Sequence, residues 1–129
     1  MNPNNNLIPA MKGCGSVVMD MQDSLLSVID SREEFQSSVI LQIKIFKLLN
    51  VFQCLTEQVP EKLGETIDGI LDLEAELPVF TKDTFSAFGS DDFVNWLKDN
   101  DITHLFLSGI ETPICIYQTS LGALRENLK

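Results

Sequence analysis

The stretch CGSVVMD, residues 14–20, decides the fold. It is a short, mostly apolar run that lacks the alternation of polar and apolar side chains typical of a half-buried strand. Such a run predicts a strand buried on both faces, as in a parallel sheet that helices cover on each side. Three similar runs follow it: VFQCLTE (51–57), PVFTK (78–82) and THLFLSG (103–109). We therefore expect about four parallel strands.

The segments between these strands have a helical pattern. Apolar residues recur at helical spacing in residues 31–50, where Ser31 and Glu34 form a predicted capping box. Ser90 is the predicted N-cap of a helix over residues 91–100, whose first turn is acidic. Strands that alternate with helices predict an open α/β fold, with helices on both faces of a parallel sheet.

Two further helices are predicted. A short helix starts near Thr66, after the segment QVPEKLGET (58–66), whose Pro and Gly predict a loop. The last helix covers residues 112–129, with Thr112 as its N-cap and Pro113 at its first helical position.

The composition fits a single domain with a core of its own. The chain has 129 residues, of which 44% are hydrophobic, and a formal net charge of −10. A surface this negative repels phosphate backbones and anionic lipids, so neither nucleic acid nor a membrane is an expected partner. Residues 1–12 are predicted to be a flexible segment, and residues 13–129 the domain.

Targeting signals and cysteines indicate a reducing compartment. The N-terminus has no pattern of a secretory signal, and no run reaches the roughly 18 to 20 apolar residues of a membrane helix. Cys14, Cys54 and Cys115 are odd in number and irregularly spaced, which predicts free thiols. We expect a cytoplasmic protein, and a mitochondrial location stays open.

Three chemically different side chains follow the predicted strands. Asp20 comes after the first strand, Lys82 ends the third, and Cys115 lies just inside the helix after the fourth. In an open parallel sheet the ligand binds beyond the carboxyl ends of the strands. Because these ends share one edge, we expect a carboxylate, an ammonium group and a thiol to meet there.

Each of these residues has an ordinary interpretation when it is taken alone. Asp20 suits a turn, Lys82 a solvated loop, and Cys115 an inert buried helix position. Together they favour a nucleophilic cysteine, because a thiol with a pKa of about 8.5 needs a base to accept its proton and positive charge to stabilise the thiolate. We expect the cation and nearby N–H donors to outweigh the carboxylate in their effect on the Cys115 thiol.

A metal or organic cofactor is not expected. His104 is the only histidine and falls at the start of the fourth strand, away from the carboxyl ends. The cysteines are not spaced as metal ligands, and the sequence has no dinucleotide-binding glycine motif or P-loop.

Four segments resemble the isochorismatase-like cysteine hydrolases. VVMDMQDSLL (17–26), FTKDTFSAF (80–88) and LSGIETPICIYQTSLGAL (107–124) are similar to the family's motifs, in the family's order. LTEQVPEKLGET (55–66) resembles the isochorismatase domain-containing protein subgroup. The resemblance covers roughly residues 13–128 and implies a three-layer α/β/α (Rossmann-like) fold.

The resemblance also implies a catalytic site. It implies a triad of Asp20, Lys82 and Cys115, and a cis peptide between Ile110 and Glu111. The backbone N–H groups of Glu111 and Cys115 would then form an oxyanion hole. The implied reaction is hydrolysis of a C–N bond in a small amide-like substrate through a Cys thioester. The substrate pocket is predicted from these side chains: Gln22, Gln58, Phe85 and Ile110.

Several features set this sequence apart within that family. The segment after the second strand has no histidine, unlike the metal-binding members that hydrolyse nicotinamide. Cys115 argues against the vinyl-ether cleavage of true isochorismatases. The family's usual C-terminal strands are missing, which predicts strand four at a sheet edge and a homo-oligomer. The alternatives are a catalytically inactive paralogue that serves in binding or assembly and, more weakly, a redox role for Cys115.

Overall fold

The computed structural model describes residues 11–73 and 76–129. Its regular elements alternate between strands and helices, as the sequence predicts. The strands are β1 (Cys14–Met19), β2 (Phe52–Gln58), β3 (Val79–Lys82) and β4 (His104–Gly109). The α-helices are α1 (Asp23–Leu26), α2 (Arg32–Leu48), α3 (Pro60–Leu63), α4 (Asp68–Leu71), α5 (Asp91–Asp99) and α6 (Tyr117–Arg125).

The four strands form one parallel sheet in the order β3-β2-β1-β4. The chain runs outward from β1 through β2 to β3, then crosses to the other side of β1 to add β4. This reversal beside β1 opens a crevice at the carboxyl ends of β1 and β4, where open α/β sheets bind ligands. The prediction that β4 lies at a sheet edge is confirmed.

Two apolar cores lie on opposite faces of the sheet. Val18 and Leu55 face a core built with Val39 and Ile43 of α2. Val17, Met19 and Cys54 face a second core with Phe93 and Leu97 of α5. All six residues of β1 are buried, because helices cover both of its faces. The predicted three-layer α/β/α fold is confirmed.

Helix starts show where local sequence signals were sufficient. The Ser90 side chain accepts a hydrogen bond from the Phe93 N–H, as a predicted N-cap does. Ser31 makes no side-chain cap, so the predicted capping box with Glu34 is wrong. Its φ of 56° is left-handed, whereas a capping serine needs an extended backbone.

Two predicted segments are more broken up than expected. The predicted loop at residues 58–66 contains α3, which has Pro60 in its first turn. Thr66 does not start a helix, because α4 begins at Asp68. The C-terminal helix is not continuous either: a π-helical segment, Thr112–Ile116, precedes α6, and Glu111 rather than Thr112 is the N-cap.

Only part of the predicted flexible segment at the N-terminus can be compared with the structure. Of the segment 1–12, residues 1–10 lie outside the described residues. Among residues 11–73 and 76–129, no helix has the length and apolarity to cross a membrane.

Candidate active site

Asp20 lies at the centre of the candidate site, directly after β1. Its side chain is fully buried, and its backbone φ is 57°. Oδ1 accepts a hydrogen bond from Thr56 Oγ1 at 2.8 Å, and Oδ2 accepts one from Lys82 Nζ at 2.9 Å. A buried carboxylate is stable only when its oxygens have such partners. The fold therefore holds an oriented carboxylate at the end of an inner strand.

Lys82 reaches Asp20 from the end of β3, and its side chain is also fully buried. Besides the carboxylate, its Nζ donates to Gln58 Oε1 at 2.5 Å and to the Thr84 carbonyl at 3.3 Å. An ammonium group has three N–H donors, and these three acceptors use all of them. Lys82 thus contributes charge to the site and has no donor left for a ligand.

Cys115 reaches the same place from the π-helical segment after β4, and it is 7% exposed. Its thiol lies close enough to Asp20 for the carboxylate to raise the pKa of Cys115 through charge and hydrogen bonding. The structure therefore brings together Asp20, Lys82 and Cys115, from the ends of β1, β3 and β4. Gly109 makes this approach possible: its φ is 111°, and a Cβ there would lie 2.0 Å from the Met19 carbonyl oxygen.

Burial and Asp20 control the acidity of the thiol. Burial, the charge of Asp20 and the hydrogen bond to Asp20 together raise the pKa of Cys115 to about 11. The Lys82 charge and the Glu111 backbone N–H act in the opposite direction and are weaker. The expectation that cation and N–H donors would prevail is wrong, because burial of the thiol and the nearby Asp20 together raise the pKa of Cys115 more than Lys82 and Glu111 lower it. The resting site holds a thiol hydrogen-bonded to a carboxylate.

The peptide bond before the nucleophile segment has the geometry that the resemblance implies. The Ile110–Glu111 peptide is cis. The Glu111 N–H donates toward the Cys115 sulfur. The Glu111 carbonyl accepts hydrogen bonds from Ile114 and Ile116, the residues on either side of Cys115.

A cavity of about 280 Å³ opens in front of the thiol. Its volume is at the lower end of the range for small-molecule sites, about 300–1,000 Å³. Of Asp20, Lys82 and Cys115, it is Cys115 that lines the cavity. The remaining lining comes from these residues: Leu25, Gln58, Val59, Lys62, Leu63, Phe85, Glu111 and Ile114.

The four residues predicted as pocket walls divide into two pairs. Gln58 and Phe85 line the cavity, and Phe85 is 58% exposed. Gln22 is fully buried, and its amide bonds the Gln58 backbone and the Gly64 carbonyl instead. Ile110 is buried in the core beneath α2. The structure thus places Gln22 and Ile110 away from the cavity lining.

Sequence reasoning missed the residues that hold the triad in place. Thr56 bonds Asp20 because Met19 pairs with Thr56 in the sheet. The buried Glu57 carboxylate accepts the Thr66 N–H at 2.6 Å and the Thr66 hydroxyl at 2.8 Å. A correct register for β1 and β2 would have identified Thr56, but no local signal identifies the contact between Glu57 and Thr66.

The potential metal ligands do not converge. Within residues 11–73 and 76–129, no three His, Cys, Asp or Glu side chains are grouped as a metal site. His104 starts β4 at the opposite edge of the sheet, where its Nδ1 lies 2.9 Å from Thr103 Oγ1.

Comparison with known proteins agrees with this fold. An isochorismatase family protein 1A of Dictyostelium discoideum is 30% identical over 129 aligned positions, which span 88% of this chain and 61% of that protein. The structure of the MAR1 ribonuclease from Caenorhabditis elegans is 27% identical, with a TM-score of 0.83 over 92% of this chain and 61% of that chain. This chain thus spans about three fifths of each relative's length.

A third similarity concerns the fold alone. The YcaC gene product of Escherichia coli, described as an octameric hydrolase of unknown specificity, is 21% identical. Its TM-score is 0.83 over 92% of this chain and 60% of that chain.

The family model of the isochorismatase domain matches residues 14–129. Since that match covers most of the chain, this protein belongs to the isochorismatase family.

Proposed function

We propose that this chain is a cysteine hydrolase that cleaves the C–N bond of a small amide-like molecule. The observation that carries the proposal is the Cys115 thiol, which lines a cavity and is hydrogen-bonded to a buried, ion-paired carboxylate. A thiol with a raised pKa needs a base at the moment of attack, and Asp20 is the base within reach.

The first half-reaction forms a thioester. The Cys115 sulfur attacks the carbonyl carbon while its proton passes to Asp20. The negative charge develops on the carbonyl oxygen, which the N–H groups of Glu111 and Cys115 stabilise. The tetrahedral intermediate then collapses, the C–N bond breaks, and Asp20 returns the proton to the leaving amine. Lys82 stays charged throughout and keeps the Asp20 carboxylate oriented.

The second half-reaction releases the acid. Asp20 removes a proton from a water molecule in the space that the amine has left. The resulting hydroxide attacks the thioester carbonyl, and the same two N–H groups stabilise the new oxyanion. When the C–S bond breaks, Asp20 returns the proton to sulfur and the thiol is regenerated.

Release of amine and trapping of the thioester test this proposal together. Small primary amides are incubated with the full chain, free ammonia is measured, and acid-quenched samples are searched by peptide mass mapping for an acyl group on Cys115. We expect ammonia release and a transient adduct on Cys115. Neither signal with any amide would favour the alternative, an inactive paralogue that serves in binding or assembly.

RNA is a poor substrate candidate for this chain. The C. elegans relative is described as a ribonuclease, but the net charge of −10 here disfavours a phosphate backbone.

The three free thiols, Cys14, Cys54 and Cys115, support a reducing compartment such as the cytoplasm.

We also propose that the protein is a homo-oligomer. Leu41, Ile45 and Leu48 form an exposed apolar stripe on α2, and Phe106 of the edge strand β4 is 43% exposed. Exposed apolar stripes of this kind favour association, and the octameric E. coli neighbour has the same fold. Sedimentation of wild type and Leu48→Glu tests this: the variant should dissociate, and a wild-type monomer would contradict the proposal.

A further inference from the structure

The loop between β2 and α4, residues 59–66, forms one wall of the cavity and is held at both ends by buried side chains. Gln22 Nε2 donates to the Gly64 carbonyl, and Gln22 Oε1 accepts the Gln58 N–H at 2.8 Å. Glu57 holds Thr66 through two further bonds. These hydrogen bonds therefore fix the position of the loop, and of α3 within it, relative to the Cys115 thiol.

α3 places Lys62 in the cavity lining. In the described part of the chain, no ion pair or side-chain hydrogen bond involves the Lys62 ammonium group. Leu25, Val59, Leu63, Phe85 and Ile114 make most of the remaining lining apolar. Lys62 is exposed to solvent, and a cation at the rim of an apolar cavity is suited to attract an anionic group of a ligand.

Glu111 is the one other charged side chain in the described lining of this cavity. Asp20 and Lys82 form a buried pair that compensates itself, and Glu111 lines the same cavity. Lys62 therefore balances Glu111 in a protein that is otherwise strongly acidic. Without Lys62, the negative charge of Glu111 in the cavity lining would repel an anionic substrate.

We propose that Lys62 selects the substrate class: a small amide with an apolar body and an anionic group, such as a carboxylate, directed toward Lys62. This inference rests on the proposed cysteine hydrolase site. It adds that the anionic group lies on the β2 side of the cavity, while the carbonyl lies at Cys115.

Alkylation of Cys115 by two reagents that differ in charge tests this inference without requiring turnover. Iodoacetate is anionic, whereas iodoacetamide is neutral and of similar size. The ratio of the two rates at Cys115 is measured at pH 8.5 by peptide mass mapping, in wild type, Lys62→Met and Lys62→Arg. Lys44→Met is the matched control, because Lys44 is an exposed lysine on α2 outside the cavity.

Lys62→Met should lower the iodoacetate to iodoacetamide ratio by about threefold to tenfold at low salt, and the difference should shrink in high salt. Lys62→Arg and Lys44→Met should keep the wild-type ratio. Equal ratios in Lys62→Met and Lys44→Met would overturn the assignment. Because the readout is a ratio at one thiol, a lack of amide turnover would count against the proposed hydrolase and not against Lys62.

Discussion

A cavity lined by a cysteine and a lysine lies at the amino edge of the sheet, where the parallel strands begin, and another lies at the carboxyl edge, where they end. Only the cavity at the carboxyl edge has the features of an active site. At the amino edge a cavity of about 570 Å³ is lined by Lys12, Cys14, Asp99 and Asp101, among others. At the carboxyl edge the cavity is half that size, yet a buried ion pair lies behind its thiol.

This difference shows that the volume of a cavity does not by itself identify an active site. Burying a lysine and an aspartate costs free energy that the pair recovers only with good geometry and further hydrogen bonds. The carboxyl edge supplies both, through Thr56, Gln58 and Thr84. Lys12, in contrast, is exposed to solvent. A buried ion pair with further hydrogen bonds is the better indicator of a functional site, because burying both charges costs free energy.

Serine substitution of the two cavity cysteines should show the largest contrast. Cys115→Ser should lower kcat/KM for any amide substrate by at least about 10³-fold, because it removes the nucleophile. Cys14→Ser should keep it near the wild-type value. The measurement is ammonia release at matched protein concentrations. Loss of activity in Cys14→Ser alone would reverse our assignment of the two edges.

Methionine substitution of Lys82, the lysine of the buried ion pair, and of Lys12 should affect stability next most strongly. Lys82→Met leaves Asp20 buried without its counter-ion and should lower the free energy of unfolding by about 3–5 kcal/mol. Lys12→Met changes an exposed side chain and should stay within about 0.5 kcal/mol. Urea denaturation measures both variants.

A double variant sharpens the comparison of the lysines. Asp20→Asn with Lys82→Met removes both charges, so its loss of stability should be smaller than the sum of the two single losses. Additive losses would show that the pair is not energetically coupled.

Alkylation of Cys115 should depend on pH in a direction set by its neighbours. Only the thiolate reacts, and the pKa of Cys115 is raised to about 11, so the iodoacetamide rate should rise about tenfold per unit between pH 7 and 10. Asp20→Asn removes two causes of the raised pKa and should shift the profile to lower pH. Lys82→Met removes a cause that lowers it and should shift the profile to higher pH.

Cys54 provides the internal control for this experiment. It is fully buried in the core beneath α5, and burial raises the pKa of its thiol. It should therefore stay unmodified in native protein at every pH at which Cys115 reacts. Labelling of Cys54 first, or an unchanged profile in Asp20→Asn, would contradict this description of the site.

The sequence predicted the strands, and the convergence of Asp20, Lys82 and Cys115, better than the helix ends. Apolar runs locate β1 to β4 to within about two residues, because burial on both faces leaves little choice of residue type. The convergence of Asp20 and Cys115 then follows from parallel topology. Ser31 failed as an N-cap because its backbone is left-handed, and Thr112 failed because it lies inside the π-helical segment whose N-cap is Glu111. The pKa of Cys115 was missed because it depends on how deeply the fold buries the thiol and on how closely Asp20 approaches it.

Metal removal should have the smallest effect, and we expect none. In the family members that bind metal, the ligands follow the second strand, as the resemblance implies. Here that segment has no histidine, the Oε2 of Glu57 at the end of the second strand is already bonded to the N–H and hydroxyl of Thr66, and His104 lies at the opposite edge. Within the reactive site Lys82 already supplies the positive charge beside the carboxylate. Turnover after dialysis against EDTA should therefore equal that of untreated protein, and added zinc should not raise it. Activity that is lost on chelation and restored by zinc would overturn this prediction and would require a ligand set outside residues 11–73 and 76–129.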